Sequence, residues 1–371
     1  METTLYILFI AFLGFFVIQF LYQSFVFSRF SFVKPKKETT KSVPVSVIVW
    51  AKNEYKNLLK QLPVLVSQNY PNYELVLVDD ASNDQTLDLF EEYEKQYPFV
   101  KLVKVINNEA FWGNKKFALT LGIKAAKNEY LLFTDANCSL ISENWISEMT
   151  CHFSFKKTIV LGYGAYDKIK GSVLNKIIRF DGVVTAIQYL SWAKIGKPYM
   201  GIGRNMAYKK SEFFNVNGFI NHIRVRSGED DLFINEAANK ANTTICYSPD
   251  SFTYCEPKTT FKDWMNQKRK ETSTKKFYKD FDKIQLNLYF ISQLCCLILG
   301  IILLSFQYNL IIVSSVLGFR YIFNWMVFGY GAAKLKEKDI ILWYPIFEII
   351  LLITQIRVAF TNLIFKPEHW K

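Results

Sequence analysis

Cysteine pairs with CxxC spacing are missing from this sequence. Its six cysteines include no CxxC pair, and two of them, Cys295 and Cys296, lie within a long apolar run. Structural zinc sites bring their ligands in closely spaced Cys and His pairs, so this pattern argues against a zinc-binding module. Free, reduced thiols, as in proteins that face the cytosol, are the expectation for all six.

The features of a cleaved signal peptide are also missing. Leu5–Phe27 carries no charged residue and is long enough to cross a bilayer, with only Glu2 ahead of it. Because it has no basic start and no small-residue cleavage site, this segment is predicted to be an uncleaved anchor. Five basic residues follow it: Arg29, Lys34, Lys36, Lys37 and Lys41. The positive-inside rule therefore places the next domain in the cytoplasm, on the inner side of the cell membrane.

Charge is absent again from Leu286 to Phe319. One helix of that length would exceed a bilayer core, so a break near Gln307–Asn309 is expected to give two spans. Ile340–Phe365 is also apolar, but it contains Glu348 and Arg357, and it either spans or lies in the interface. The predicted domains are an anchor over 1–28, an α/β domain over 42–285 and a membrane region of two to three helices over 286–371.

Hydrophobic and basic residues are abundant. Half of the 371 residues are hydrophobic, including 33 Phe and 21 Tyr, and the net charge is +12. A basic balance suits nucleic acid, an anionic membrane surface or phosphate-bearing substrates. The basic residues flank the apolar segments and no RNA- or DNA-binding motif occurs, so membrane lipids are expected as partners and nucleic acid is not.

Between the apolar segments, strand patterns alternate with helix patterns. Strands are predicted at Val45–Trp50, Glu74–Val78, Val100–Val105 and Tyr130–Phe133, with helices between them. This alternation predicts βαβ units, a parallel sheet and one shared edge for the turns that follow the strands. Less regular patterns predict a further strand over Met200–Tyr208 and a helix from Asp231 to about Lys240.

The run YLLFTDANCSL, residues 130–140, is the centre of the functional argument. Its apolar part suits a strand buried on both faces, and Asp135 and Asn137 follow directly. Open α/β sheets bind ligands at the carboxyl ends of their strands, and two oxygen ligands two residues apart suit a hard cation. The alternative is an ordinary strand-ending turn, where Asp and Asn are favoured without any ligand.

Five motifs then occur in one order: VSVIVWAKNE, LVLVDDASNDQT, LLFTDAN, GEDD and QKRK. In this order they resemble glycosyltransferase family 2, over about residues 43–278. The resemblance implies a GT-A nucleotide-sugar-binding fold, Rossmann-like with a mostly parallel sheet, flanked by transmembrane helices. It also implies a membrane-bound, inverting transferase that uses a nucleotide-diphosphate sugar.

The resemblance assigns the donor site to the turns after the first two strands and to one lysine. Asp79 and Asp80, which the motif does not separate, would bind the base or ribose, and Glu54 would act similarly. Lys115 would meet the diphosphate as a point charge, although the family's glycine is displaced to Gly113. The alternatives are acidic side chains that cap the next helix, and a solvated lysine in a helix's first turn.

The resemblance also implies a metal site and a catalytic base. Asp135-Ala136-Asn137 matches the family's DxD motif with Asn in the last position, so Mg²⁺ or Mn²⁺ would be held by Asp135 and Asn137 and would bridge the diphosphate. Asp230 in GEDD would be the general base that activates an acceptor hydroxyl. The alternative for this acidic run is a helix start favoured by the helix dipole.

A last motif, QKRKE, stands where processive members of the family carry QxxRW. Gln267, Arg269 and Lys270 would face the diphosphate or anionic lipid. Lys270 replaces the motif's Arg and Glu271 its Trp, which removes an aromatic platform for an acceptor sugar, so processive synthesis is not expected.

Two kinds of function fit these residues. The first is transfer of a sugar to a lipid-linked or cell-surface glycan acceptor, with a ceramide- or diacylglycerol-type glycolipid synthase or a polyprenyl-phosphate sugar transferase as the alternative enzyme. The second is an inactive, membrane-anchored partner that binds nucleotide or glycan. Retention of Asp80, Asp135 and Asp230 together favours the enzyme.

Overall fold

The structure is a computed structural model that describes residues 2–34, 42–106, 115–225 and 227–365. Of the residues named above, Lys36, Lys37, Lys41 and Gly113 lie outside the described residues.

Ten strands and thirteen α-helices are described within these ranges. The strands are β1 (Val45–Ala51), β2 (Tyr73–Asp79), β3 (Val100–Lys104), β4 (Tyr130–Asp135), β5 (Cys138–Leu140), β6 (Ile159–Leu161), β7 (Gly164–Tyr166), β8 (Met206–Lys209), β9 (Thr243–Ile245) and β10 (Thr253–Cys255). The helices are α1 (Glu2–Leu21), α2 (Ser28–Ser31), α3 (Tyr55–Val66), α4 (Thr86–Gln96), α5 (Lys115–Ala125), α6 (Trp145–Thr150), α7 (Val173–Lys194), α8 (Lys210–Asn215), α9 (Asp231–Ala237), α10 (Phe261–Ser273), α11 (Asp280–Ser305), α12 (Leu310–Lys334) and α13 (Tyr344–Ile364).

A seven-stranded mixed sheet in the order β3-β2-β1-β4-β8-β6-β9 forms the centre of the fold. The first four strands in sequence run parallel to one another, whereas β8 pairs antiparallel with β4 and β6. The central parallel strands β1 and β4 are almost entirely apolar because both faces of the sheet are covered there. Since parallel strands share their direction, the turns after β1, β2 and β4 meet at one edge, as predicted from the alternation.

Alternate side chains of each central strand enter different cores. Val47 and Val49 of β1 pack with α3, α4 and α6, whereas Ile48 packs on the other face with α5 and α7. This second core continues without a break into Phe328 of α12 and Phe347 of α13. The sheet and the apolar C-terminal helices therefore share one core, which holds the sheet in a defined position relative to them.

A small second sheet, in the order β5-β10-β7, lies beyond β4. Its antiparallel register sets Cys138 directly opposite Cys255, and the two form a disulfide. The expectation of free thiols is wrong for this pair, because residues 117 positions apart in sequence become neighbours only through strand pairing. The other four cysteines form no disulfide with the described residues.

In the part of the chain that the structure describes, four helical segments are long and apolar enough to cross a membrane: Glu2–Ser31, Asp280–Ser305, Leu310–Lys334 and Lys338–Ile364. The first includes a π-helical stretch between α1 and α2. The break predicted after α11 is present, since residues 306–309 join α11 to α12 and both Gln307 and Asn309 adopt positive φ.

Both ends of α13 contact helices of the predicted α/β domain. Near its start, Phe347 packs on Phe180 of α7 with ring centroids 5.6 Å apart. At its end, Arg269 of α10 donates hydrogen bonds to Asn362 Oδ1 and to the Phe365 carbonyl, each at 3.0 Å. Both ends of α13 are therefore fixed to the predicted α/β domain.

Two predicted boundaries differ from the structure. The strand predicted over Met200–Tyr208 pairs only from Met206, because a 3₁₀ turn at Gly203–Asn205 precedes it and the Gly203 N–H is donated to a side chain. The helix predicted to run to Lys240 ends at Ala237, whose carbonyl accepts a hydrogen bond from the Asn242 side chain at 2.9 Å.

Candidate active site

Two adjacent carboxylates end β2 at the ligand-binding edge of the sheet. Asp79 and Asp80 are both buried, and the backbone turns sharply at Ala81, which has φ of 52°. Asp79 accepts the N–H of Ser82 with its two carboxylate oxygens. Asp79 therefore stabilises the turn that leads into α4. This structural role is close to the alternative considered for these acidic residues, which was capping of the next helix.

Asp80 is a buried carboxylate that lies near a lysine. Its Oδ2 lies 3.8 Å from Lys52 Nζ at the end of β1. Burial raises the pKa of Asp80, and Lys52 opposes that shift. A buried carboxylate with one distant cation retains acceptor capacity for a ligand's N–H or O–H groups.

Glu54 faces the same edge from the turn after β1. Its carboxylate accepts a hydrogen bond from Asn57 at 2.8 Å. Burial raises the pKa of Glu54, the hydrogen bond from Asn57 opposes the shift, and the charges of Glu256 and Asp135 add to it. Asp84, in contrast, accepts the N–H groups of Thr86 and Tyr55, so it orders the two turns.

A single lysine joins β4 to the acidic run before α9. Lys115 Nζ lies 2.8 Å from Asp135 Oδ1 and 3.3 Å from Glu229 Oε1. The same ammonium stands 4.5 Å from the centroid of the Trp50 ring. Burial alone would lower the pKa of Lys115, but the charges on Asp135 and Glu229 outweigh it and raise that pKa. Lys115 is therefore a fixed positive charge at the centre of the site.

Asp230 is poised to exchange a proton near neutral pH. Burial, together with the charges of Glu229 and Asp231, raises the pKa of Asp230 to about 7. Its Oδ2 accepts the N–H of Gly203 and its Oδ1 the N–H of Asp231, both at 2.8 Å. These bonds fix the carboxylate's orientation while its second lone pairs stay available. A pKa near the working pH is what a general base requires.

Its two acidic neighbours are engaged differently. Burial opposes ionisation of Glu229, but Lys115 outweighs it and keeps the pKa of Glu229 below its ordinary value. Asp231 is buried and accepts three hydrogen bonds: from Thr274 at 2.5 Å, from Tyr278 at 2.7 Å and from the N–H of Leu232 at 2.8 Å. Asp231 therefore anchors the segment after α10, and Asp230 is the member of the run without a side-chain partner among the described residues.

The predicted metal ligands fit a weakly held hard cation. Lys115 engages Oδ1 of Asp135, while Oδ2 makes no hydrogen bond to the described residues, and Asn137 is exposed. Within the described ranges there is no group of three or more His, Cys, Asp or Glu that could hold a metal alone. Mg²⁺ and Mn²⁺ sites in phosphate chemistry need only one or two protein ligands, because phosphate oxygens and water complete the shell.

The side chains of the QKRKE motif are distributed over three surroundings. Gln267 donates hydrogen bonds to the Tyr166 hydroxyl and to Glu271, at 2.9 and 2.8 Å. Lys270 is exposed and lies close enough to Glu229 to lower its pKa. Arg269 bonds to α13, so the structure does not bring it to the candidate donor site with the other two.

Sequence reasoning missed Asp181 and Tyr166, which contact side chains of the sequence motifs. Lys268 forms ion pairs with Asp181 of α7 and with Glu271, both at 2.8 Å. Arg204 lies over the Tyr166 ring at 4.4 Å. Asp181 and Tyr166 belong to no motif, and only the tertiary structure could place them beside α10. A glycine at position 203, in contrast, was visible in GIGRN, although its role as donor to Asp230 was not.

This edge of the sheet thus gathers a fixed lysine, a DxD-like turn and a carboxylate with a raised pKa. Residues 46–227 match the family model described as glycosyl transferase family 2. The chain carries a family 2 glycosyltransferase domain. The match includes the turns after β1, β2 and β4 and ends just before the acidic run at Glu229–Asp231.

Curated proteins of this family resemble the chain over limited lengths. The 4,4'-diaponeurosporenoate glycosyltransferase of Staphylococcus haemolyticus is 37% identical over 30% of the chain and 28% of the relative. The poly-beta-1,6-N-acetyl-D-glucosamine synthase of Staphylococcus epidermidis is 23% identical over 85% of the chain and 76% of the relative. Across several other curated relatives the match spans 16 to 42% of their length.

One solved structure shows the same fold over nearly the whole chain. The mannosyltransferase PcManGT from Pyrobaculum calidifontis, in complex with GDP-Man and Mn²⁺, superposes with a TM-score of 0.57 and 17% identity. The superposition covers 91% of this chain and 98% of that one. The fold is therefore the GT-A fold expected from the motifs.

Proposed function

We propose that the protein is a membrane-bound, inverting glycosyltransferase that moves a sugar from a nucleotide-diphosphate sugar to a lipid-linked or cell-surface glycan acceptor. The observation that carries the proposal is the Asp230 carboxylate. It is oriented by two N–H groups and has a pKa raised to about 7. It lies next in sequence to Glu229, which pairs with Lys115.

In the proposed reaction Asp230 accepts the proton of an acceptor hydroxyl. The hydroxyl oxygen then forms a bond to the anomeric carbon as the bond from that carbon to the diphosphate oxygen breaks. One carboxylate suffices for a single displacement with inversion, because no covalent glycosyl intermediate needs a second nucleophile. Lys115 supplies a fixed positive charge for the leaving diphosphate.

The turns after β1 and β2 are proposed to bind the nucleotide. Asp80 and Glu54 are partly desolvated carboxylates that can accept hydrogen bonds from a base or a ribose, and Asp79 orders the turn. Gln267 and Lys270 would approach from α10. The GDP-Man in the related mannosyltransferase supports a nucleotide-sugar donor as a class.

A divalent cation is proposed to act with Asp135 and Asn137. The Mn²⁺ in the related mannosyltransferase supports this, as do the oxygen ligands on one turn. When bound, Mg²⁺ or Mn²⁺ would stabilise the negative charge that develops on the leaving diphosphate. Lys115 would hold Asp135 in position until the cation and donor bind.

The proposed location is the cell (inner) membrane, with several passes and the catalytic domain in the cytoplasm. The four apolar helices and the basic residues after α2 support it. In this arrangement α1, α11 and α12 cross the bilayer, and α13 lies along the cytoplasmic interface beneath α7 and α10. The arrangement holds the catalytic edge close to the bilayer surface.

Purified protein in detergent, incubated with a panel of nucleotide sugars and a membrane-lipid extract, tests the proposal. We expect release of nucleoside diphosphate with one donor, and a product of inverted anomeric configuration by NMR. Nucleotide binding without release from any donor would instead favour an inactive binding partner. A product of retained configuration would contradict the single-displacement chemistry assigned to Asp230.

A further inference from the structure

A cavity of about 250 Å³ lies where five helices meet. Its walls come from α7, α10, α11, α12 and α13, together with the π-helical stretch after α1. Most of this wall belongs to the apolar helices, and α7, α10 and the turn after α10 supply the rest. A space of this size holds a head group and the first carbons of its chains, not a whole lipid.

The cavity is lined by neutral amides at a depth where apolar side chains would be expected. Six amide side chains contribute to its wall: Gln23, Gln188, Asn287, Gln293, Asn324 and Gln355. Amides donate and accept hydrogen bonds without charge. Their concentration within apolar helices marks a surface built to meet polar, uncharged groups, since polar residues inside a membrane region are costly and functional.

Asn324 carries the strongest indication of a missing partner. Its side chain is only 3% exposed, and its Nδ2 makes no hydrogen bond to the described residues. One turn away on the same face of α12, Arg320 is equally buried, and its Nε and Nη1 also lack partners among the described residues. Buried donors left without a hydrogen bond destabilise a fold, so such a group calls for a ligand.

The charges around the cavity are nearly balanced. Arg320 is paired with Glu348 at 2.7 Å, and Glu348 also accepts a hydrogen bond from Gln293 at 3.0 Å. Lys268 is paired with both Asp181 and Glu271. Lys275 makes no ion pair with the described residues, but the charges of Asp181 and Glu271 act on it, so these three cations meet three carboxylates. A phosphate monoester needs unbalanced positive charge, whereas a hydroxyl-bearing head group needs none.

One side of the cavity is formed by α10 and the turn after it, which also contacts the acidic run. Lys268, Thr272 and Lys275 form its wall on that side. Thr274, between the last two, donates its hydroxyl hydrogen bond to Asp231, the neighbour of Asp230. The segment that closes this side of the cavity is therefore hydrogen-bonded to the acidic run.

We infer that this cavity binds the head group of an uncharged, hydroxyl-bearing lipid, of diacylglycerol or ceramide type, and presents its hydroxyl to Asp230. The inference rests on the proposed sugar transfer and replaces its glycan acceptor with a lipid hydroxyl, which is the acceptor of the alternative enzyme. Asn324 donates to a head-group oxygen, and apolar residues such as Val184, Leu351 and Val358 contact the first methylene groups.

The test uses full-length protein in detergent and two matched lipids, dioleoylglycerol and dioleoyl phosphatidic acid, which differ by a phosphate. Binding is followed as the shift of the thermal unfolding midpoint with lipid concentration. Asn324→Leu removes the donor at similar volume, and Ser314→Leu is the control, because Ser314 is exposed on the same helix and lies outside the cavity wall.

We expect dioleoylglycerol to raise the unfolding midpoint. Phosphatidic acid should need at least a tenfold higher concentration for the same shift. Asn324→Leu should weaken the dioleoylglycerol effect about five- to tenfold, as loss of one buried hydrogen bond predicts, and Ser314→Leu should not. Preference for phosphatidic acid, or an equal effect of both variants, would overturn the inference. If Asn324→Leu is poorly folded, Val184→Trp, which fills the cavity from α7, serves as the second variant.

Donor turnover separates the two proposals. Release of nucleoside diphosphate without any lipid effect would leave the proposed function standing and overturn the lipid site. Lipid binding that depends on Asn324, without release from any donor, would support the site and contradict the proposed function.

Discussion

Gly203 donates its backbone N–H to Asp230 Oδ2 at 2.8 Å, across a gap of 27 residues in sequence. A side chain at position 203 would contact Asp230, because an added Cβ would lie 3.3 Å from both Cβ and Oδ2 of that residue. The 3₁₀ turn before β8 and the start of α9 therefore meet at the carboxylate on which the proposed chemistry depends.

Asp230→Asn should lower turnover by a factor on the order of 10²–10⁴, because it removes the proton-accepting charge and keeps the shape. Nucleotide-sugar affinity should stay within a few-fold of wild type, since the donor contacts lie elsewhere. Steady-state rates and donor titration measure the two effects. Asp231→Asn is the control for a structural role. We expect this variant to unfold at a lower temperature and to keep most of its turnover. Equal loss of turnover at both positions would point to a structural role for Asp230 as well.

The rate should rise with pH through about 7, because the base form of Asp230 is the active one and its pKa is raised to about 7. Above that pH the rate should level off. Glu229→Gln removes a negative neighbour and should move the rising limb to lower pH. The measurement is the pH profile of turnover at saturating donor. If Glu229→Gln leaves the pH profile of turnover unchanged, the rise in rate near pH 7 cannot be assigned to deprotonation of Asp230.

Lys115→Met should weaken donor use by about 10- to 150-fold, as loss of a charge-assisted contact worth about 1.5–3 kcal/mol predicts. Lys116→Met is not a suitable control, because Lys116 is buried and donates to the His222 and Val225 carbonyls. Lys124→Met, on the exposed face of α5, is the matched control. The ratio of turnover to the donor's Michaelis constant is the quantity to compare.

Asp135→Ala should abolish transfer, and excess chelator should do the same to the wild type. Asn137→Asp restores a second carboxylate, so half-maximal activity should need less Mg²⁺ or Mn²⁺. The comparison is activity against free cation concentration for wild type and both variants. Full activity of the wild type in chelator would rule out the cation and leave Lys115 as the charge that meets the diphosphate.

Trypsin added to intact cells should spare the loop between β7 and α7, because the catalytic domain is proposed to be cytoplasmic. Lys168 and Lys170 in this loop are exposed, and permeabilised cells should show cleavage there. Immunodetection of the fragments distinguishes the two cases. Cleavage without permeabilisation would reverse the proposed orientation.

Much of this architecture could be predicted from local patterns. The apolar runs at Val45–Trp50 and Tyr130–Phe133 have the length and continuity of strands buried on both faces, and a parallel sheet follows from the helices between them. The turns carrying Asp80 and Asp135 then share an edge for geometrical reasons. The break at Gln307–Asn309 also followed from length alone, since one helix could not stay within a bilayer.

Roles within the acidic run needed the tertiary structure. Asp230 and Asp231 are chemically identical in sequence, and they differ because Tyr278 and Thr274 reach one of them and Gly203 reaches the other. Arg269 reads as a donor-site residue, yet the packing of α10 on α13 directs its guanidinium to Asn362.

The sequence by itself determined the apolar segments, the alternation of strands and helices along the chain and the acidic and basic residues at the sheet edge. These features depend on local periodicity and composition. Only the tertiary structure decided the Cys138–Cys255 disulfide, the pairing of Lys268 with Asp181 and the unsatisfied Asn324 in its cavity. Each of these depends on side chains that are far apart in the chain and are brought together by strand register or helix packing, which no local pattern encodes.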